Sequence, residues 1–500
     1  MHAKRLTRAG LALGLSALVA GCGSSAPADV RTPTAGAGAI PPPSHTSAAR
    51  LLDWPEFGLD PQRSNATELA TGITAANVGR LHRTSVSLPG TVDSSPIYLH
   101  AVRVAGAVRN AIIVTTTYGR TVAIDAEGGR VLWTFTPAGY SRWAGSSQIT
   151  TASPLADPDR RFVYAASPNG LIHKLSLLDG SEAGGWPVRI TFDGHHEKIA
   201  ASLNIDGAMV LAATGGYYGD APPYQGHLVA IDRASGRMTS LFNTLCSNRR
   251  VLLVPSNCPA SDSAILSRSG AVVEPGGRRI LIDTGNGPWN GSTNFGDSVL
   301  ELSFPTLRLL QSYTPFDQAQ LSSSDTDLGS SAPALLGGDR IVLGGKDGIL
   351  RVLALSHLDG RASTPRGALG GELQRLSNPG GGQLFTTPAV WRAGGATTLF
   401  VADENGTAAY ILRAGRLLRA WENSTPGTSP VVAGGLLYVY EPSGGGIRVY
   451  RPNSAREIAR LDGSPGHWNS PIVVDGHVVE PEGNGNDHAR TGALELFSVR

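Results

Sequence analysis

Three recurring observations predict an all-β chain closed into a ring of four-stranded antiparallel blades. The first is a glycine followed by an alternating strand, as in "YGRTVAID", "NGLIHKLSL" and "DGILRVLAL". It occurs eight times, with the glycine at 119, 170, 226, 296, 348, 406, 446 and 492, at intervals of 40 to 70 residues. The second is an apolar strand just before each glycine, such as "AIIVTTT", "FVYAAS" and "RIVLGG". The third is a small-residue run ending in proline further upstream, as in Ser94-Ser95-Pro96, Ser331-Ala332-Pro333 and Asn469-Ser470-Pro471. Small residues suit a crowded innermost strand near an axis, and glycine suits the tight turn between the two middle strands. Some repeats add an outer apolar strand carrying a tryptophan, Trp133 in "GRVLWTF" and Trp421 in "RLLRAWEN". Four strands per unit and eight units predict an eight-bladed β-propeller. The strand "RLHRTSVSL" precedes the first unit and has no partner there. It is expected to supply the outer strand of the last blade, so that no sheet edge is left open.

The composition agrees. The chain has 500 residues, of which 41% are hydrophobic and 16% charged, with 63 Gly and 33 Pro. Many turns and short strands fit that balance better than helix bundles do. The net charge of +2, with no basic cluster beyond the first eight residues, gives no reason to expect nucleic acid.

Residues 1–21 look like a targeting signal. Lys4, Arg5 and Arg8 precede the apolar run "AGLALGLSALVA", which is too short for a comfortable membrane span. It ends in Val19-Ala20-Gly21-Cys22, which resembles a bacterial lipobox. Cys22 would then be lipidated and would anchor an extracytoplasmic protein in the cell envelope. Residues 22–52 are rich in Ala, Pro, Ser, Thr and Gly, cannot build a core, and read as a disordered tether. Residues 53–500 form the propeller, expected to be a monomer. Only Cys246 and Cys258 remain after Cys22. An exported chain meets oxidising conditions, so they predict a disulfide rather than two buried thiols. Closing so short a loop stabilises by about 3 kcal/mol.

The repeats, together with "DWPEFGLDPQRSN" at 53–65, resemble the pyrroloquinoline quinone (PQQ) repeat family, which includes quinoprotein alcohol dehydrogenases. The same repeat builds non-enzymatic propellers, including the lipoprotein subunit of the outer-membrane barrel assembly machinery. In the dehydrogenases a "GN…PWN…GD" segment carries a calcium ligand, and Asn286 of "DTGNGPWNGSTNFGDSVLEL" matches it. Asp325 of Ser324-Asp325-Thr326-Asp327 matches the catalytic base, which also lies at the metal, although the family's preceding Trp is absent. Lys346 of Lys346-Asp347-Gly348 matches the lysine that contacts the quinone. Lysine is otherwise confined to Lys4, Lys174 and Lys198, which hints that a point charge is wanted at 346.

Three departures stand beside these matches. The family's acidic calcium ligand follows a Gly-Gly pair, but here Tyr218 holds that place and Asp220 is out of register. Loss of a charged oxygen ligand weakens calcium binding. The adjacent-cysteine disulfide and any Cys-x-x-Cys-His haem motif are missing.

The resemblance implies a quinoprotein oxidoreductase, with PQQ and Ca²⁺ as cofactors and an alcohol or sugar as substrate. The alternative is a propeller without catalysis, its funnel holding a small ligand or its rim an envelope protein. A separate metal site is conceivable from Glu480, Glu482, Asp487 and His488 in "EPEGNGNDH", against a solvated hairpin loop. His195 and His196 read as loop residues, and Trp289 as packing between blades. Replacing Cys22 by Ser is expected to move the protein from the membrane to the soluble fraction, as read by fractionation of the producing cells.

Overall fold

A computed structural model describes residues 52–217, 221–253, 257–360 and 367–499. Cys22, the signal segment, nearly all of the tether, Tyr218 and Asp220 lie outside the described residues. Eight four-stranded antiparallel sheets follow one another around an axis. Blade 1 comprises Ile97–Val104, Ala107–Thr115, Thr121–Asp125 and Val131–Phe135. Blades 2 to 7 repeat that order, with innermost strands Leu155–Ala156, Asn204–Asp206, Val272–Val273, Ala334–Gly337, Ala389–Ala393 and Thr428–Ala433. Blade 8 has Ile472–Val474, His477–Glu482 and Gly492–Ser498 from the C-terminus, and His82–Leu88 as its outer strand. That outer strand pairs residue by residue with the last one, from His82 opposite Ser498 to Leu88 opposite Gly492. The expected ring closure is therefore present.

The repeat glycines work in two ways. Gly119, Gly170, Gly348 and Gly446 have φ between 72° and 83°, the left-handed turn that glycine adopts without strain. Gly226, Gly296, Gly406 and Gly492 do not. There a side chain would collide with a neighbouring backbone: a Cβ on Gly406 would lie 2.6 Å from Asn423 O, and one on Gly492 would lie 2.6 Å from Gly90 O.

Apolar faces of successive blades pack on one another. Val102, Ile113 and Ala123 of blade 1 meet Val163 and Leu175 in and beside blade 2. The outer-strand tryptophans staple neighbours. Trp133 Nε1 donates to Leu177 O at 2.9 Å, and Trp421 Nε1 donates to Pro452 O at 2.9 Å. Around the axis, hydroxyls of the small-residue runs link blade to blade. Ser95 N donates to Ser153 Oγ at 2.9 Å, and Ser429 N donates to Thr386 Oγ1 at 2.7 Å.

The inner strand edges would leave unpaired backbone groups, and the segment 53–67 satisfies several of them. Trp54 and Tyr98 exchange backbone hydrogen bonds in blade 1. Ala156, Val273, Val390 and Val432 donate to Pro55, Pro61, Ser64 and Asn65. The segment thus plugs the axis against blades 1, 2, 4, 6 and 7. Arg63 pins it. Its fully buried guanidinium pairs with Glu56 at 2.9 Å and donates to Phe57 O, Leu203 O and Ser269 O at 2.6, 2.8 and 3.1 Å. Burial raises the Glu56 carboxyl to about 8, with Arg63 opposing. Arg63→Ala strands three carbonyls and a buried acid, so it is expected to destabilise the protein by about 3–5 kcal/mol in denaturant unfolding.

Candidate functional site

The three residues singled out by their segments converge. Asn286 follows the second strand of blade 4, Arg279–Asp283, and Lys346 follows the second strand of blade 5, Arg340–Leu343. Asp325 lies between these two blades, just after a short helix, Gln318–Ser323. A second strand returns to the face from which the next innermost strand departs, so all three sit at one end of the axis. Asn286 Nδ2 donates to Asp325 Oδ1 at 2.7 Å, and the Asn286 N–H donates to Asp327 Oδ1 at 2.8 Å. Lys346 Nζ lies 2.5 Å from Asp327 Oδ2 and 3.3 Å from Asp325 Oδ1. Burial opposes the Lys346 charge, but the two carboxylates outweigh it and raise its pKa above the ordinary value. Asp325 has φ +52°, which holds its side chain outward, 68% exposed. Asp327, two residues on, is the buried member of the group and was not singled out from the sequence.

Asp325, Asp327 and Lys346 border a cavity of about 250 Å³ on the axis, whose wall also includes Lys198, Arg268 and Trp468, while Asn286 is not part of that wall. Trp468 stacks on Phe385, with centroids 4.6 Å apart and planes 13° apart, and on His467 at 4.0 Å and 21°. Arg268 holds its guanidinium 5.3 Å from the Trp468 ring centroid. Trp289 does not line this cavity. It is half-buried, and its backbone bridges to Phe295 across its own loop.

Arg268 reaches from the segment before blade 4 to Asp93, before blade 1. Its Nη2 meets Asp93 Oδ1 at 2.8 Å, and its Nη1 donates to Asp93 O at 2.7 Å. The other carboxylate oxygen takes His467 Nδ1 at 2.8 Å and the Gly485 N–H at 3.0 Å. Burial works against the Asp93 charge, yet Arg268 and His467 hold its pKa well below the usual carboxylate range. Lys198 faces the same cavity. Burial, with repulsion from Arg268, pushes its ammonium down to about 7, while Asp93 opposes. The sequence offers only a faint signal for these groups, a His-Trp pair set just ahead of the small-residue run at 469–471.

As arranged, the donors do not fit a calcium ion. The Lys346 ammonium occupies the space between the two aspartates, and Asn286 turns its amide N–H₂ to Asp325. Among the described residues no group of three or more His, Cys, Asp or Glu side chains is placed to hold a metal. The acidic loop does not gather either. Glu480 is buried in its strand with both carboxylate oxygens unpartnered, its pKa pushed well up by burial and by Glu482, while Glu482 accepts from Ser464 N. Asp487 and His488 lie on the turn beyond. His196 pairs with Asp193 at 2.8 Å, and His195 is exposed on the same loop. Cys246 and Cys258 are joined as a disulfide, remote from the cavity wall.

Asp93 carries the cross-axis link, and its folded pKa is depressed. Its stabilising contribution is therefore complete above about pH 4, the unfolded value, and is lost as pH falls below it. Asp93→Asn is expected to lower stability by about 3 kcal/mol at pH 7, by leaving Arg268 buried without its counter-charge. The difference from the parent protein should narrow below about pH 4, as read from denaturant midpoints across pH.

Residues 76–241 match the family model described as outer membrane protein assembly factor BamB. No curated protein sequence matches the chain. Among solved structures, the chain is similar to quinohemoprotein alcohol dehydrogenase from Comamonas testosteroni, with a TM-score of 0.64 and 15% identity over 90% of this chain and 81% of that one. A europium-containing methanol dehydrogenase matches with a TM-score of 0.64 and 15% identity, over 91% of this chain and 100% of that one. BamB from Moraxella catarrhalis matches with a TM-score of 0.51 and 12% identity, over 84% and 100%. The chain is an eight-bladed β-propeller, similar in fold to both quinoprotein dehydrogenases and BamB, and a PQQ-repeat family model matches its residues 76–241.

Proposed function

We propose that this protein is exported, anchored in the envelope through Cys22, and binds a quinone-class organic molecule in its axial funnel to oxidise an alcohol or sugar. The observation that supports this reading most is the meeting of Asp325 and Lys346 at the rim of a cavity with an aromatic wall, with Asn286 bonded to Asp325 from outside that wall. Lys346 would hold a quinone oxygen, because its ammonium lines the cavity and its third contact, to Asp325 O at 3.5 Å, is long enough to be exchanged for a ligand oxygen. Trp468 gives a flat neighbour for a conjugated ring. An ortho-quinone, when bound, supplies a hydride acceptor. Asp325 is exposed at the rim and oriented by Asn286, and is placed to take the hydroxyl proton of an alcohol. No step is assigned to calcium, since the carboxylates already hold Lys346.

Titration with PQQ, without and then with Ca²⁺, tests the reading. Tryptophan fluorescence is expected to fall on adding PQQ alone, and Trp468→Phe should remove most of the change. Dye-linked oxidation of primary alcohols should drop about 100-fold or more in Asp325→Asn, while the fluorescence change persists. A second reading, a scaffold within the envelope, is favoured by the pairing of both aspartates with Lys346. It stands instead if PQQ leaves the fluorescence unchanged.

A further inference from the structure

We propose that Lys198 is a carbonyl-reactive amine that forms a reversible imine with small aldehydes or ketones entering the axial cavity. The inference goes beyond the quinone reading and does not depend on it.

The three lysines within the described residues have different surroundings. Lys346 is clamped by Asp325 and Asp327. Lys174 donates to Arg233 O at 2.7 Å and lies 4.5 Å from the Phe162 ring centroid. Lys198 has neither an ion pair nor a hydrogen bond from its Nζ among the described residues. Its backbone is held, since Lys198 N and O bond Gly215 O and N at 2.6 and 2.8 Å. Its side chain borders both the axial cavity and an adjoining one of about 230 Å³. A half-buried lysine that is unpaired and faces a cavity has no counter-charge in contact with it to keep it protonated, and Asp93 acts on it only at a distance. Among the charged groups Arg268 acts on it most, repelling an ammonium, and Asp93 opposes more weakly. Burial and Arg268 lower its pKa to about 7, so a neutral, nucleophilic amine is within reach near neutral pH.

The remaining groups around the cavity suit the reaction. The Lys198 lone pair attacks the carbonyl carbon, a C–N bond forms, and the oxygen takes up the proton that the nitrogen releases. The carbinolamine then loses water as its C–O bond breaks and the C=N bond forms. The departing hydroxyl needs a proton. His467 lines the same cavity, with Nδ1 fixed on Asp93 and Nε2 without a partner among the described residues. That arrangement lets Nε2 carry the proton in and out. The other titratable groups facing the cavities are Tyr217, Asp325, Asp327, Lys346 and His488.

The test is reductive trapping on the full protein with butyraldehyde and cyanoborohydride, followed by peptide mapping. At pH 7, Lys198 is expected to be alkylated at least tenfold faster than Lys174 or Lys346, about the ratio that one unit of pKa gives. Its labelling rate in the parent protein should climb between about pH 6 and pH 8 and then level off. Lys198→Arg should remove this label and leave the other lysines unchanged. Equal labelling of all three lysines, or a Lys198 rate that climbs only above about pH 9, would overturn the proposal. The pH profile uses no variant, so a misfolded Lys198→Arg protein leaves the test intact. Trapping does not require PQQ and the fluorescence titration does not require an aldehyde, so each reading can fail alone.

Discussion

A sheet edge that faces nothing is the constraint behind this architecture. Every blade has an inner edge at the axis, and an open ring would add two raw flanks. The flanks are removed by pairing His82–Leu88 with the C-terminal strand. The inner edges are met by residues 53–67, which run across the axis and exchange backbone hydrogen bonds with five blades. Arg63 makes that segment a structural part rather than a loose tail, because its guanidinium is satisfied by carbonyls from three separate stretches of chain.

With one part of the axis filled by this plug, the funnel on the other side becomes a small enclosed volume lined by charge. Its ions are arranged in local paired sets. Arg268 answers Asp93 from across the ring, and Lys346 answers the two aspartates of one turn. In a site of low polarity such pairing removes most of the cost of holding charge away from water. Lys198 is the member left out of any pair, and its lowered basicity follows directly.

Much of this could be read from residue order, and the reasons are local. The repeat glycines mark turns, so their spacing counted the blades. The orphan strand before the first unit implied a partner at the far end. Strand direction permits Asn286, Asp325 and Lys346 to converge, since both kinds of connection open on one face. Two kinds of feature escaped. Gly226 and Gly296 look like the other repeat glycines but are there for lack of room, which depends on a neighbouring loop. Arg63, Asp93, Arg268 and His467 act across the axis, between residues as much as 374 positions apart, and no short motif announces such a pairing. The calcium expected from the dehydrogenase resemblance meets an ammonium already seated between the carboxylates, a detail of side-chain direction that spacing does not carry.

The closing strand also sets a kinetic order. Residues 82–88 are made early, yet their partner is the last strand of the chain. Until residues 492–498 are made, the ring lacks its seam and the strand at 82–88 has no sheet to join. Contacts so remote in sequence slow folding, because a long loop must close before they form. The waiting strand is suited to that interval. His82, Arg83, Thr84 and Ser85 at its start are polar, and only Val86 and Leu88 face the core. A nascent chain can thus carry this strand in water without a sticky edge, and the finished circle forms only when both ends are in the same compartment.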